Sequence, residues 1–94
     1  MGKDTTFEKN YIYFITDGDN VKIGSTHDLK RRLSSLQTGN SKKLTILDYI
    51  EAPRKTEKEI HMYYKKYHVR GEWFNILALY NRSDILREDR LLTF

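Results

Sequence analysis

Ninety-four residues with 17 Lys and Arg against 13 Asp and Glu give a net charge of +4 and a pI of about 9.3, a balance that fits an anionic partner, nucleic acid being the commonest. The absence of cysteine excludes disulfides, thiolate chemistry and cysteine-based zinc sites, and no apolar run approaches the roughly 20 residues of a bilayer span. The polar stretch Met1 to Asn10 lacks the apolar core of a signal peptide, so the expectation is one domain over 1–94 in a cytoplasmic, intracellular setting.

Residues 1–8 read as a loose tail. Tyr11 to Thr16 is a β-branched and aromatic run, hence a strand. Asp17-Gly18-Asp19-Asn20 is turn chemistry, and Val21 to Gly24 forms the second strand of a hairpin. Ser25 and Thr26 are N-cap types, Asp28 suits the positive end of a helix, and Leu29, Leu33 and Leu36 recur on one helical face until Gly39 stops it. Leu44 to Ile50 is a third strand. A second helix follows, opened by a Thr56-x-x-Glu59 capping box or earlier by Pro53, and runs to about Tyr67. His68 to Gly71 reads as a loop. Gly71-Glu72-Trp73-Phe74 leads into a last helical segment, placed at about 77–90, with an amphipathic end around Ile85 and Leu86. The expected fold is α+β: a three-stranded antiparallel sheet flanked by helices in the order β-β-α-β-α-α, with its core at about 11–76.

Helical periodicity separates ordinary charges from odd ones. With Leu29 at zero and 100° per residue, Arg32 falls at about −60°, on the shoulder of the leucine stripe, whereas Arg31 falls on the water side. Arg32 is therefore either a snorkelling arginine or a placed one. With Glu57 at zero, Ile60, His61, Tyr64 and His68 fall within about 60° of it. An inward carboxylate calls for a cation, Arg32 or a metal, unless it is only a first-turn Glu favoured by the helix dipole. If the turn holds Asp17 to Asn20, Tyr13 pairs with Gly24 and Ile15 with Lys22. Tyr13 and Lys22 then share one side of the sheet. Tyr63, Tyr64 and Tyr67 are close on one helix, as core or as a stacking platform for bases.

Tyr-Ile-Tyr at 11–13, Lys-Ile-Gly at 22–24 and Ser-Thr-x-Asp-Leu-Lys-Arg-Arg-Leu at 25–33 together resemble the motifs of the GIY-YIG nuclease superfamily, and Thr-Glu-Lys-Glu-Ile-His at 56–61 with Gly-Glu-Trp-Phe at 71–74 narrows the likeness to a branch with many phage and bacterial proteins. The likeness runs from about Tyr11 to Ile76. It implies that Tyr13 is the tyrosine of the first triplet, Gly24 the structural glycine of the second, Arg32 the helix arginine of the site, and Glu57 the carboxylate that holds one Mg²⁺ or Mn²⁺. Three departures stand out. Tyr11 replaces the first motif glycine, Lys22 replaces the second motif tyrosine, and Leu36 stands where several relatives carry a helix histidine, a place His61 could fill from the other helix.

The resemblance implies a metal-dependent endonuclease hydrolysing phosphodiester bonds in DNA, with RNA open as a substrate. Tyr13, its pKa lowered by Lys22 and the metal, or Lys22 itself, is the expected base. Arg32 is expected to stabilise the phosphorane, Glu57 to anchor the metal, and His61 to orient a phenol or a water. Lys30, Arg31, Lys42 and Lys43 are candidate contacts to nucleic-acid phosphates, as are other surface bases. Target choice would come from a homodimer or a separate DNA-binding partner. The competing expectations are an inactive nucleic-acid-binding module of the same fold and a protein-interaction domain.

Overall fold

The computed structural model describes residues 9–80. Strands β1 (Tyr11–Thr16) and β2 (Val21–Thr26) form the hairpin, with Thr16 opposite Val21, Ile15 opposite Lys22 and Tyr13 opposite Gly24. The connecting turn holds this register. Asp17 Oδ1 accepts from the backbone N–H of Asp19 and Asn20 at 2.9 and 3.0 Å, and Gly18 takes φ +102°, a conformation closed to most side chains. Helix α1 (Leu29–Thr38) starts from Asp28, whose carboxylate accepts the Arg31 N–H at 3.0 Å. Ser25 and Thr26, the expected caps, instead extend β2, and Gly39 ends the helix as its spacing implied.

Strand β3 (Thr45–Glu51) pairs with β1. Its register shifts between Phe14, opposite Asp48, and Ile15, opposite Ile46, so Leu47 is an inserted bulge residue. Helix α2 (Lys55–Tyr63) has Arg54 at its N-cap with no side-chain cap bond, so the Thr56–Glu59 capping box does not form. The Thr56 N–H instead bonds the Pro53 carbonyl at 2.9 Å, in keeping with the earlier start. A 3₁₀ turn (Lys65–Tyr67) continues the helix. Then come β4 (His68–Arg70), β5 (Trp73–Phe74) and a 3₁₀ turn (Leu77–Leu79). The expected tail at 1–8 and most of the expected helix at 77–90, with Ile85 and Leu86, lie outside the described residues.

This corrects the expected architecture. Among the described residues the sheet has five strands in the order β3-β1-β2-β5-β4, every neighbouring pair antiparallel, with two α-helices, rather than three strands in a β-β-α-β-α-α chain. His68 to Gly71 is largely strand rather than loop, and Gly71-Glu72-Trp73-Phe74 is a turn and a strand rather than the start of a helix. The reason is local brevity. A strand of three residues and one of two carry no periodic signal, and their pairing is settled by β2, whose free edge β5 covers, with β4 added outside it. Trp73 and Phe74 pair with Lys22 and Val21. They also point to opposite faces, as strand geometry requires.

One helix lies on each face of the sheet. On the first face Tyr13, Ile15, Leu44 and Ile46 are buried beneath Leu29, Leu33 and Leu36 of α1, with Trp73 beside them. On the second, Ile12, Val21, Ile23, Leu47, Phe74 and Ile76 are buried beneath a layer that includes Ile60, Tyr64 and Tyr67. Tyr64 and Tyr67 thus serve the core. Tyr63 is 79% exposed, its ring edge-on to Tyr64 at 4.9 Å. Each buried Ile, Leu or Phe contributes roughly 1.5–3 kcal/mol, and both helices are held by such contacts on one face only. Among the described residues no helix is long and apolar enough to cross a membrane.

Candidate active site

The centre of the site is a missing side chain. A Cβ on Gly24 would fall 2.3 Å from the Tyr13 hydroxyl oxygen and 3.0 Å from Glu72 Oε1. The register that sets Tyr13 opposite Gly24 therefore also lets the phenol lie across β2 and brings Glu72 over the same point.

Arg32 reaches this point from α1. Its Nε donates to the Tyr13 hydroxyl at 3.3 Å, while the residue as a whole stays exposed. Arg31, its neighbour, bonds through its backbone N–H to the Asp28 cap and faces solvent. Tyr13 itself is 1% exposed. Burial pushes its pKa above the ordinary value of 10.0, against the pull of Arg32, and nearby Glu72 and Glu57 push the same way. The expectation of a phenol pKa lowered by Lys22 and a metal is not met in the metal-free protein, where that pKa is raised. The bond to Tyr13 raises the pKa of Arg32 in turn.

Lys22 projects on the same side of the sheet as Tyr13, but its partners come from the β4–β5 hairpin. Its Nζ lies 3.4 Å from Glu72 Oε1 and 5.4 Å from the centre of the Trp73 ring. Glu72 owes its place to the backbone. Its carbonyl accepts the Ile23 N–H at 2.9 Å, and the preceding Gly71 turns the chain at φ +53°.

Glu57 stands in the first turn of α2. Its Oε1 accepts from Ser25 Oγ at 2.8 Å, and its Oε2 is 3.6 Å from His61 Nε2. The His61 Nε2–H donates to the Ile23 carbonyl at 2.9 Å, and the ring stands edge-on to Phe74 at 4.8 Å. His61 is thereby fixed to β2, with its ring beside Glu57. Arg32 pairs with the phenol, not with Glu57. The cation next to the carboxylates is Lys22, on Glu72. Glu57 adjoins Glu72, and burial followed by this neighbour raises the Glu72 carboxyl above its ordinary 4.5, opposed by Lys22.

Tyr13, Lys22, Arg32 and Glu57 are therefore gathered around Gly24, with His61 behind Glu57. Glu72 was missed as a site residue. It stood inside the Gly-Glu-Trp-Phe motif, but a helical reading gave its side chain no destination. The available signal was an acidic residue directly after a glycine and before two aromatics. Of the outer bases, Lys30, Arg31 and Lys43 are exposed, whereas Lys42 is hydrogen-bonded to Asp19, which raises its pKa and occupies its charge.

The donor set can be compared with what a divalent ion needs. Among the described residues no group of three His, Asp or Glu side chains is close enough to hold a metal. Glu57 and Glu72 offer two adjacent carboxylates. Mg²⁺ is commonly held by one or two carboxylates, with waters and substrate phosphate filling the other positions, so the pair fits.

No curated protein and no solved structure matches the chain. The T5orf172 domain profile matches residues 10–88, which takes in every element of the sheet and both helices, and the chain therefore belongs to the T5orf172 domain family.

Proposed function

We propose that the protein is a metal-dependent endonuclease of the GIY-YIG type that hydrolyses phosphodiester bonds in DNA. The T5orf172 domain is related to GIY-YIG-like and HNH-type nuclease domains, which supports a nuclease or DNA-binding role. The observation that carries the finer reading is the convergence on Gly24: a guanidinium on a phenol, an ammonium on a carboxylate, and two carboxylates in contact. A purely structural cluster has little use for two adjoining carboxylates, since each opposes the ionisation of the other.

In this reading Glu57 and Glu72 would hold one Mg²⁺ or Mn²⁺, which would supply charge neutralisation at the scissile phosphate. Ser25 fixes the Glu57 carboxylate, and His61 stands beside it. Arg32, anchored through Nε, turns its remaining N–H groups outward to the developing charge on phosphorus. Lys22, held by Glu72 and Trp73, neutralises a non-bridging phosphate oxygen. Tyr13 is a protonated donor and the anchor of Arg32. The exposed Lys30, Arg31 and Lys43 add contacts to neighbouring phosphates, and these weaken as salt rises.

The test is incubation of plasmid DNA with the protein and Mn²⁺ or Mg²⁺, beside Glu57→Gln and beside an EDTA control. Nicking that requires both the metal and Glu57 is expected. Its absence with every metal, for a protein that still binds DNA, overturns the reading. One observation favours a second reading, a nucleic-acid-binding module without turnover: the Tyr13 phenol is buried, and burial raises its pKa, which makes it a poor base in the metal-free protein. Retarded DNA migration without cleavage is its signature.

A further inference from the structure

Beside the site lies a cleft that shares only His61 with it. It has a volume of about 660 Å³ and is bounded by α2 with its 3₁₀ extension on one side and by the β4–β5 hairpin on the other. Pockets that take small organic ligands span about 300–1,000 Å³. Lys58, His61, Met62 and Lys65 line it from one helical stripe, at spacings of three, four and seven residues. His68 and Gly71 form the opposite wall, over Phe74.

Three features of the lining define its occupant. No carboxylate lines the cleft, and two lysines do, so the chemistry favours an anion. Two imidazoles stand there in fixed poses. His61 Nε2 bonds the Ile23 carbonyl and His68 Nε2 bonds the Gly71 carbonyl, both at 2.9 Å, and both rings stand edge-on to Phe74, at 4.8 and 5.3 Å. A carbonyl only accepts, so each ring commits its Nε2–H. Met62 is 68% exposed, an apolar side chain with open space beside it. A flat aromatic group with an attached phosphate answers all three. His61 also links the cleft to the candidate site, since its Nε2 is 3.6 Å from Glu57 Oε2.

We propose that this cleft holds one unpaired nucleotide next to the scissile phosphate, its base against His61, His68 and Met62 and its phosphate between Lys58 and Lys65. The proposal rests on the nuclease reading for the identity of the strand. It makes the protein selective for DNA with an unpaired base near the cut, because a base inside a continuous duplex stack cannot enter. Stacking on aromatic planes of this kind tolerates any base, so the selection is for structure and not for sequence.

The experiment measures binding in EDTA, where no cleavage is expected. A fluorescein-labelled duplex of about 20 base pairs is compared by anisotropy with the same duplex carrying one bulged adenosine. Wild type should bind the bulged duplex about tenfold more tightly, the scale of one base stack. His68→Ala and the pair Lys58→Glu, Lys65→Glu should erase that preference. These residues are exposed, and circular dichroism checks that the variants remain folded. Lys30→Glu should weaken both duplexes equally. Adenosine 5′-monophosphate should shift the NMR signals of His68 and Met62 more than inorganic phosphate does.

Equal affinity for the two duplexes, a preference that survives in the His68 and lysine variants, or nucleotide-induced shifts confined to other residues would each overturn the proposal. So would a dimer in sedimentation that Met62→Lys breaks, since the cleft would then take a second copy of the chain. The failures are separable. Bulge preference without nicking in Mn²⁺ retires the nuclease reading and keeps the subsite, and nicking without preference does the reverse.

Discussion

Tyr13 and Gly24 face one another across the first two strands, and the Tyr13 hydroxyl lies where any side chain at position 24 would begin, 2.3 Å from a Cβ built there. The glycine is thus a steric requirement of the site and not of the turn, because it sits inside a strand. Gly24→Ala should cost about 1–3 kcal/mol, the usual range for an overpacked core, and should displace Arg32 along with the phenol. Urea unfolding measures the first effect. In a Tyr13→Phe background the loss should shrink but persist, because the ring carbon that bears the hydroxyl is itself only 2.6 Å from that Cβ.

Arg31 and Arg32 are adjacent in sequence and opposite in role. Arg32→Ala should lower single-turnover cleavage by about 10²–10³, the loss typical when a placed donor to developing charge is removed. Arg32→Lys should recover little, since it has no Nε–H for the phenol and no forked donor for phosphate. Arg31→Ala should change cleavage a few-fold at most and lessen the salt dependence of binding. Equal losses at the two positions would show that the Tyr13 bond does not matter to turnover.

Burial raises the Tyr13 pKa above 10.0, its ordinary value, which stands for the unfolded chain. Below about pH 10 the phenol is protonated in both states and its contribution to stability is constant. Above it the unfolded chain loses a proton that the folded chain keeps, so stability falls as pH rises. Tyr13→Phe should flatten that alkaline decline. Thermal melts between pH 8 and 11 test this. A steeper alkaline loss in the variant would mean the phenol ionises readily in the folded protein.

The Glu72 carboxyl is likewise raised, from 4.5, by burial and by Glu57. Above pH 4.5 the unfolded chain gives up this proton more readily than the folded one, so ionised Glu72 works against the fold in the metal-free protein. Glu72→Gln should therefore raise the melting temperature at pH 7 in EDTA, despite the lost Lys22 pair, and leave it unchanged below about pH 4. The rise should be smaller than the 4–8 °C that about 1 kcal/mol gives in a domain of this size. A lower melting temperature at pH 7 would make the Lys22 pair the dominant interaction.

Divalent-ion binding can be read without turnover. Mn²⁺ at about 100 times its dissociation constant adds about 2.7 kcal/mol to the stability of a protein that binds it only when folded. The wild type should show such a shift by differential scanning fluorimetry. Glu57→Gln should abolish it and Ser25→Ala should reduce it, because the Ser25 hydroxyl aims that carboxylate.

The residues themselves determined a good deal. The hairpin register followed from a four-residue turn, because loop length and the two-residue period of a strand leave one choice of face. That put Tyr13 and Lys22 on one side. The 3.6-residue period of the first helix separated Arg32 from Arg31, and the leucines at 29, 33 and 36 pack as that period requires. Tertiary structure alone decided the rest. His68–Arg70 and Trp73–Phe74 are too short to show a period, so their strand state comes from pairing: the free edge of β2 takes Trp73–Phe74, and that strand in turn takes His68–Arg70, in hydrogen bonds no local sequence describes. That pairing delivers Glu72 over Gly24 and against Glu57, from 48 and 15 residues away in the chain. The same holds for the ionisation of Tyr13 in the metal-free protein. A list of charged neighbours can be drawn from sequence, but desolvation, which outweighs them at this phenol, exists only once the sheet and helices have closed around it.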